Sequence, residues 1–348
     1  MSRSQKILVI LGPTSSGKSD IAIKMAKKFD GEIISADSRQ IFRGMDVGTG
    51  KVLGSLASRG KLNFLLSHGV PHYIINIVSP RTDFNVTKFK KQAEKIIEDI
   101  LRRGKLPIIC GGTGFWIKAV VDDVNFPEVK PDWKLREKLE KYSADKLFAM
   151  LEKFDPDRAK NIDAKNKIRL IRAIEICKVI GKVPALSCHS DRPAAAGSGG
   201  ICMHQQITSH KIINADPSTI LSTSSGFARD DKEKYSFLQI GLKLPKEKLY
   251  QNIEKRVLAR FKQGMIEEVE NLHKQGLSWK KIQPFGLAYF WIPLYLQNKI
   301  PKEELVEKVI QAEKNYAKRQ MTWFKRDKRI KWLENYKIIT KNTENFLK

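Results

Sequence analysis

Ile7 to Leu11 is an unbroken apolar run that ends at Gly12, and Ile21, Ala22, Met25, Ala26 and Phe29 then recur at the spacing of one helical face. The pattern predicts a buried strand, a glycine turn and a helix. A second β-branched run, Ile33-Ile34, ends in Ser35-Ala36-Asp37, and a third, Leu106 to Cys110, ends in Gly111-Gly112-Thr113-Gly114. Between them Phe89, Ala93, Ile96, Ile97, Ile100 and Leu101 repeat at three and four residues, with Gly104 as the stop. Short buried strands alternating with helices predict a parallel α/β sheet.

From about Pro127 the texture becomes charged and helix-forming through Lys153, with Trp133, Leu135, Leu139, Leu147 and Leu151 as candidate buried positions. This reads as a small helical insertion. A further helix is predicted over Lys167 to Ile180, and helical pattern resumes over Lys246 to Lys274 and Lys302 to Phe324. The intervening stretch is rich in Ser, Gly, Ala and Thr and has no core-forming period, which predicts a long mobile insert. The expected division is therefore 1–125, first part of the core; 126–160, helical insertion; 161–185, core helix; 186–235, flexible insert; and 236–348, core completion with a basic helical end.

Charge changes the picture of partners. Lys and Arg total 64 against 38 Asp and Glu, a formal +26, which exceeds what solubility asks for and points to a polyanion such as nucleic acid; a generally lysine-rich proteome would give the same sum. No apolar run approaches the roughly 18 residues of a membrane span, and the chain runs from Met1 almost directly into its first strand, so a cytoplasmic protein without membrane contact is expected. Cys110, Cys177, Cys188 and Cys202 are too few and too irregular for a disulfide framework. Cys188-His189 and Cys202-x-His204 offer zinc donors, but not at a common zinc spacing.

Gly12-Pro13-Thr14-Ser15-Ser16-Gly17-Lys18-Ser19 satisfies G-x-x-x-x-G-K-[ST] and sits between a predicted strand and a predicted helix, where such a loop must sit. Its backbone amides can turn onto phosphate oxygens, the helix N-terminus adds positive potential, Lys18 neutralises a terminal phosphate and Ser19 can ligate Mg²⁺. The expected fold is thus α/β, a P-loop NTPase-like parallel sheet flanked by helices with a small helical insertion domain. The loop reports a diphosphate or polyphosphate, ATP included, without saying which molecule carries it. Asp37 ends the second strand and so projects at the same sheet edge. A carboxylate there can hold Mg²⁺, take a proton, or cap the turn over Ser38-Arg39-Gln40.

The run Asp37 to Lys51, placed shortly after the phosphate loop, closely resembles the tRNA dimethylallyltransferase family, the isopentenyl-diphosphate:tRNA transferases. The resemblance continues at Gly111 to Gly114, Arg169 to Glu175, Ile253 to Val257 and Lys318 to Phe324, and spans nearly the whole chain apart from 186–235. It implies transfer from dimethylallyl diphosphate to N6 of the adenosine 3′ of the anticodon, with Mg²⁺ as cofactor and diphosphate released. An adenine amino group is a poor nucleophile, so the reaction needs a base and help for the leaving group. By resemblance Asp37 is the base, and Thr14, Lys18, Ser19 and Arg256 hold the diphosphate. The resemblance also implies a tRNA anticodon stem-loop as partner, an adenosine unstacked into the crevice, and tRNA contacts from Asp37, Ser38, Arg39, Gln40, Thr113, Arg136, Arg169, Arg172, Lys318 and Arg319. The basic run from Lys318 to Lys331, interleaved with Trp323, Phe324 and Trp332, suits phosphate contact with base stacking, or equally an exposed basic face over a buried aromatic one. A monomer is expected, since tRNA would occupy the surface around the crevice.

Several positions depart from the family pattern. Asn252 replaces an arginine one turn before Arg256, Gly286-Leu287-Ala288-Tyr289 replaces a Gly-Tyr-Arg or Gly-Tyr-Lys segment, Ile168 stands where glutamine is common, and Glu313-Lys314-Asn315-Tyr316 replaces an arginine-bearing stretch. Two other enzyme readings use the same loop: an adenylate isopentenyltransferase acting on a mononucleotide, and a small-molecule kinase acting with ATP.

Overall fold

Buried apolar runs set the strands in the computed structural model, which describes residues 4–183 and 234–348. The strands are β1 (Gln5–Leu11), β2 (Gly31–Ala36), β3 (Ser55–Arg59), β4 (Leu62–Ser67), β5 (Val70–Tyr73), β6 (Leu106–Gly111), β7 (Tyr235–Leu242) and β8 (Lys331–Leu333). The helices are α1 (Lys18–Lys28), α2 (Val86–Arg102), α3 (Gly114–Val121), α4 (Trp133–Glu140), α5 (Ala144–Phe154), α6 (Pro156–Ala159), α7 (Lys167–Ile180), α8 (Lys246–Lys262), α9 (Met265–Lys274), α10 (Trp279–Ile282), α11 (Ala288–Leu296), α12 (Lys302–Phe324) and α13 (Tyr336–Leu347). The described residues divide into two compact units, 4–117 with 234–348, and 118–183.

In the first unit the strands form one sheet in the order β3-β4-β5-β2-β6-β1-β7-β8. From β5 to β8 every pairing is parallel, while β3, β4 and β5 form an antiparallel edge. The sheet is therefore mostly parallel, with helices supplying its crossovers, as the alternation of strand and helix patterns predicts. The register decides where the chemistry falls. Leu11 and Ala36 both pair with Gly111, so Gly12, Asp37 and Gly112 emerge side by side at one carboxyl edge. One core cluster joins Leu8, Ile10, Ile33, Ile108 and Ile240 of the strands to Ala22, Met25 and Ala26 of α1 and Ile339 of α13. At about 25 cal/mol per Å² of apolar surface removed from water, each such large side chain contributes roughly 1.5–3 kcal/mol, which holds the loops after these strands on a rigid base.

The second unit has its own core. Leu139, Leu147, Leu151, Leu170, Ile171 and Ile174 pack together from α4, α5 and α7. Each helix starts on a side-chain cap: Asp132, Ser143, Asp155 and Asn166 accept from the amides of Leu135, Lys146, Arg158 and Arg169. Three expectations need correction. The helix over 167–180 is not a helix of the sheet core: its apolar residues bury against α5 in the second unit. Trp133 is 57% exposed rather than buried, its ring lying beneath the Arg136 guanidinium. Residue 235, placed in the flexible insert, opens β7. The rest of that stretch, with Cys188, His189, Cys202 and His204, lies outside the described residues. Among the described residues no helix is long and apolar enough to cross a membrane, and Cys110 and Cys177 are free and buried.

Candidate active site

The phosphate loop runs from the end of β1 into α1. Gly17 sits at the N-cap of α1 with φ +82°, a left-handed conformation that costs glycine little, and no side chain caps the helix. The first amides of α1 are thus left for a ligand, in the arrangement that binds anions. Ser15, Ser16, Gly17, Lys18, Ser19 and Asp20 line a cavity of about 600 Å³ whose other wall is Leu244, Asn252, Lys255 and Arg256, so its three cations outnumber its one carboxylate. Two lysines and an arginine around a helix N-terminus make this a cavity for a multiply charged anion. Three of its polar atoms, the Ser15 and Ser16 hydroxyls and Arg256 Nε, are buried with no partner among the described residues. Unpaired buried donors are costly, and a bound phosphate oxygen removes the cost.

The cations of the cavity are pre-set. Lys18 Nζ donates to the Pro13 carbonyl at 3.0 Å. Burial holds its pKa below the ordinary lysine value, with Arg256 adding to the effect and Asp37 and Glu313 opposing it. Arg256 donates to the Thr14 hydroxyl and, at 3.5 Å, to Glu313; burial and the neighbouring Arg260 push its pKa down to about 10. Both groups have lowered pKa values, so their positive charge is lost as pH rises earlier than for free side chains, and Arg256, at about 10, keeps its charge at neutral pH. Inorganic diphosphate binding is accordingly expected to weaken as pH approaches about 10, an effect isothermal titration up to that pH would read.

Asp37 stands at the same edge. Its Oδ1 accepts the amides of Arg39 at 2.9 Å and Gln40 at 3.4 Å, so the carboxylate closes the turn that follows it. Oδ2 has no hydrogen-bond partner among the described residues. The capping role is therefore real, and it fixes the carboxylate through one oxygen while the other stays without a protein partner among the described residues. The Ser38 amide donates to Thr113 Oγ1 at 3.1 Å, which ties this turn to the loop after β6.

A sequence profile for IPP transferases matches residues 40–327. The chain belongs to the IPP transferase family. It is 37% identical to the tRNA dimethylallyltransferase of Pelotomaculum thermopropionicum, over 95% of this chain and 91% of that protein. Its fold is similar to that of two solved tRNA isopentenylpyrophosphate transferases. The Bacillus halodurans enzyme gives a TM-score of 0.63 at 28% identity, covering 99% of this chain and 96% of that one. The Staphylococcus epidermidis enzyme gives 0.61 at 32%, covering 99% of both chains.

In this IPP transferase the other predicted contact residues divide sharply. Arg39 is committed to the protein, donating to the Phe285 carbonyl at 2.8 Å and lying over the Tyr316 ring at 4.8 Å. Gln40 is held between Ser35 and the carbonyls of Thr49 and Gly50. Lys318 is exposed, and Arg319 is exposed with its guanidinium 5.9 Å from the centre of the Tyr316 ring. In the basic run Phe324 belongs to the core, at 2% exposure, and Trp323 packs so tightly on Gly114 that any Cβ there would collide with the indole. The arrangement is mixed: the cations Lys318, Arg319, Lys325, Lys328 and Lys331 are exposed, Phe324 is buried, and Trp323 and Trp332 are half-buried. In the second unit Arg136 and Arg172 are both bonded to the buried Glu175 carboxylate, whereas the Arg169 guanidinium makes no hydrogen bond among the described residues.

Three residues to which the sequence reading gave no site role complete the site. Gln320 accepts from the Thr14 amide at 2.8 Å and donates to the Gly112 carbonyl at 2.9 Å, bridging the two loops. Glu313 and Arg260 form a buried pair at 3.2 Å beside Arg256. The signal was present: the inward face of α12 reads Leu305, Val309, Glu313, Ala317, Gln320, Phe324, two polar residues inside an apolar stripe. Of the departures, Asn252 donates to the Ser15 carbonyl at 3.4 Å, supporting the loop where an arginine would add charge. Leu287 adopts φ +52°, and two residues on Tyr289 donates to Glu268 at 2.7 Å, whose carboxylate accepts the amides of Asp46, Val47 and Gly48. That segment has become a clamp on the loop that follows Asp37. Ile168 is 48% exposed.

Proposed function

We propose that this chain transfers the dimethylallyl group of dimethylallyl diphosphate to N6 of the adenosine 3′ of the anticodon in tRNA, releasing diphosphate. The observation that carries the reading is the pairing of a cation-lined cavity holding unpaired donors with a fixed carboxylate at the same sheet edge. The names of the relatives, tRNA dimethylallyltransferases, supply the substrate class.

In this mechanism Lys18, Arg256 and the loop amides bind the diphosphate and stabilise the charge it gains as the allylic C–O bond breaks, with the Thr14 hydroxyl accepting from Arg256 and helping to orient it. Asp37 Oδ2 takes the proton that the exocyclic nitrogen loses on forming its bond to carbon. The Asp37 turn, the loop after β6 and the clamp on Asp46 to Gly48 keep that oxygen in place. Ser19 lines the cavity and would be the protein ligand of a Mg²⁺ held otherwise by substrate phosphate and water. Bound there, Mg²⁺ would neutralise part of the diphosphate charge. For tRNA we assign the exposed Lys318 and Arg319 and, in the second unit, Arg169, as phosphate contacts. Arg136 and Arg172 act through the fold of that unit.

The test is to incubate the protein with Mg²⁺, labelled dimethylallyl diphosphate and unmodified tRNA bearing adenosine after the anticodon, with AMP and ATP in parallel. Label in tRNA is expected. Label in AMP would identify a mononucleotide acceptor, and ATP turnover without prenyl transfer would identify a kinase; either result removes the tRNA reading.

A further inference from the structure

Glu313 is 2% exposed and lies against Arg256, which lines a cavity whose lysines and arginine suit an anion. A buried carboxylate in that position works against the ligand by simple Coulomb repulsion, so something else must account for it. Its contacts supply the reason. Oε2 accepts from Arg256 Nη2 at 3.5 Å and from Thr14 Oγ1 at 3.5 Å, and Oε1 accepts from Arg260 Nη1 at 3.2 Å. Arg256 and Arg260 are one turn apart on α8 and both point into the protein; Arg260 is 5% exposed and also donates to the Gly48 carbonyl at 3.3 Å. Without an intervening negative charge the two guanidinium groups repel across a poorly solvated gap, and the more exposed Arg256 is the one free to move outward.

Resting on the function proposed above, we propose that Glu313 is a positioning residue for prenyl transfer: it holds the Arg256 guanidinium and the Thr14 hydroxyl together at the place where the leaving diphosphate gains charge. Arg260 is its counter-charge, and the Gly48 carbonyl ties the pair to the loop that follows Asp37. Glu313 itself stays out of contact with the substrate. Arg256 then meets the diphosphate in a single orientation rather than being recruited after binding, which is the preorganisation that makes such donors effective.

The sign of one measurement separates positioning from plain electrostatics. The probe is inorganic diphosphate with Mg²⁺, titrated calorimetrically into the full chain. A carboxylate that acted only by its charge would make Glu313→Gln bind diphosphate more tightly. Positioning predicts weaker binding, by about 10- to 100-fold, the scale usual for groups that orient ligand-holding residues. It also predicts that the loss largely disappears when Glu313→Gln is made in an Arg256→Ala background, because the effect runs through Arg256. A Glu313→Met, Arg260→Met double variant removes the ion pair with no net change of charge and leaves apolar groups of similar volume, a replacement that proteins commonly tolerate. It is expected to bind diphosphate less tightly than the wild type. Affinity equal to or above that of the wild type in either variant, or losses from Glu313→Gln and Arg256→Ala that simply add, would overturn the assignment. In the transfer assay kcat/KM for dimethylallyl diphosphate is expected to fall with the affinity while KM for tRNA stays within about twofold, since binding of the second substrate does not use these groups. A wild type that transfers no prenyl group would remove the proposed function, and the diphosphate titration would still decide the role of Glu313.

Discussion

Asp37→Asn is expected to lower kcat for prenyl transfer by about 10²–10⁴-fold, the range that general-base catalysis contributes. The substitution is chosen because of what it leaves alone. The asparagine carbonyl oxygen can still accept the amides of Arg39 and Gln40 that Oδ1 accepts now, so the turn after β2 survives and Ser38 stays bonded to Thr113. What is lost is the second oxygen as a proton acceptor, its place taken by an amide that can only donate. Binding of diphosphate should change little, because the loop, Lys18 and Arg256 are untouched. Single-turnover transfer and calorimetry on the same preparation read the two effects separately. If Asp37 were only the cap of its turn, the asparagine variant would keep near-normal kcat, and the proton would have to be assigned to another group.

How much of this was legible beforehand differs between the two halves of the site. The phosphate loop was readable because three local signals coincide within a few residues: a continuous apolar strand, glycines at the turn, and an apolar face at helical spacing. Asp37 was readable as an edge residue for a similar reason, since a β-branched run must end at a sheet edge. The antiparallel hairpins of β3, β4 and β5 were not foreseen. β3 and β4 are short and largely or half exposed, with Leu56 and Leu66 facing outward, and β5 is buried but only four residues long, so neither alternation nor a long buried run marks them. The helix over 167–180 was recognised as a helix but assigned to the wrong core, because an apolar stripe says that something packs against it and not what. Glu313, Gln320 and Arg260 reach Thr14, Gly112 and Arg256 across large separations in sequence, which no local pattern encodes. The contacts implied for Arg136 and Arg172 follow the same logic in reverse: an arginine in a basic segment reads as a phosphate ligand until its buried carboxylate partner, dozens of residues away for Arg136, is located.

That partner carries the second large prediction. Glu175 is 1% exposed, and its carboxylate accepts from Arg136 at 2.9 and 2.8 Å, from the Asp132 amide at 2.6 Å and from Arg172, which also donates to the Val129 carbonyl at 2.9 Å. It thereby fixes the start of α4 and the preceding strand of chain onto α7. Glu175→Ala leaves two largely buried guanidinium groups without their counter-charge, a change that typically costs about 3–5 kcal/mol. Hydrogen exchange is expected to quicken in α4 and α7 while β1 and β6 keep their protection, because the second unit has its own core and the sheet does not depend on this carboxylate. The pH dependence has a definite sign. Burial alone would raise the Glu175 pKa, but the hydrogen bonds from Arg136, Arg172 and the Asp132 amide outweigh it and hold the carboxyl below its ordinary value. A depressed carboxylate contributes stability that is fully present above its unfolded pKa and is lost as pH falls through the lower folded one. Protection in α4 and α7 is therefore expected to decline on acidification through the carboxylate range in the wild type, and to be low and nearly independent of pH there in Glu175→Ala. In the transfer assay the same variant is expected to raise KM for tRNA with diphosphate affinity unchanged. Unaltered exchange in α4 and α7 would mean that Arg136 and Arg172 find water or other partners at no cost, and would return both arginines to consideration as direct ligands of tRNA phosphate.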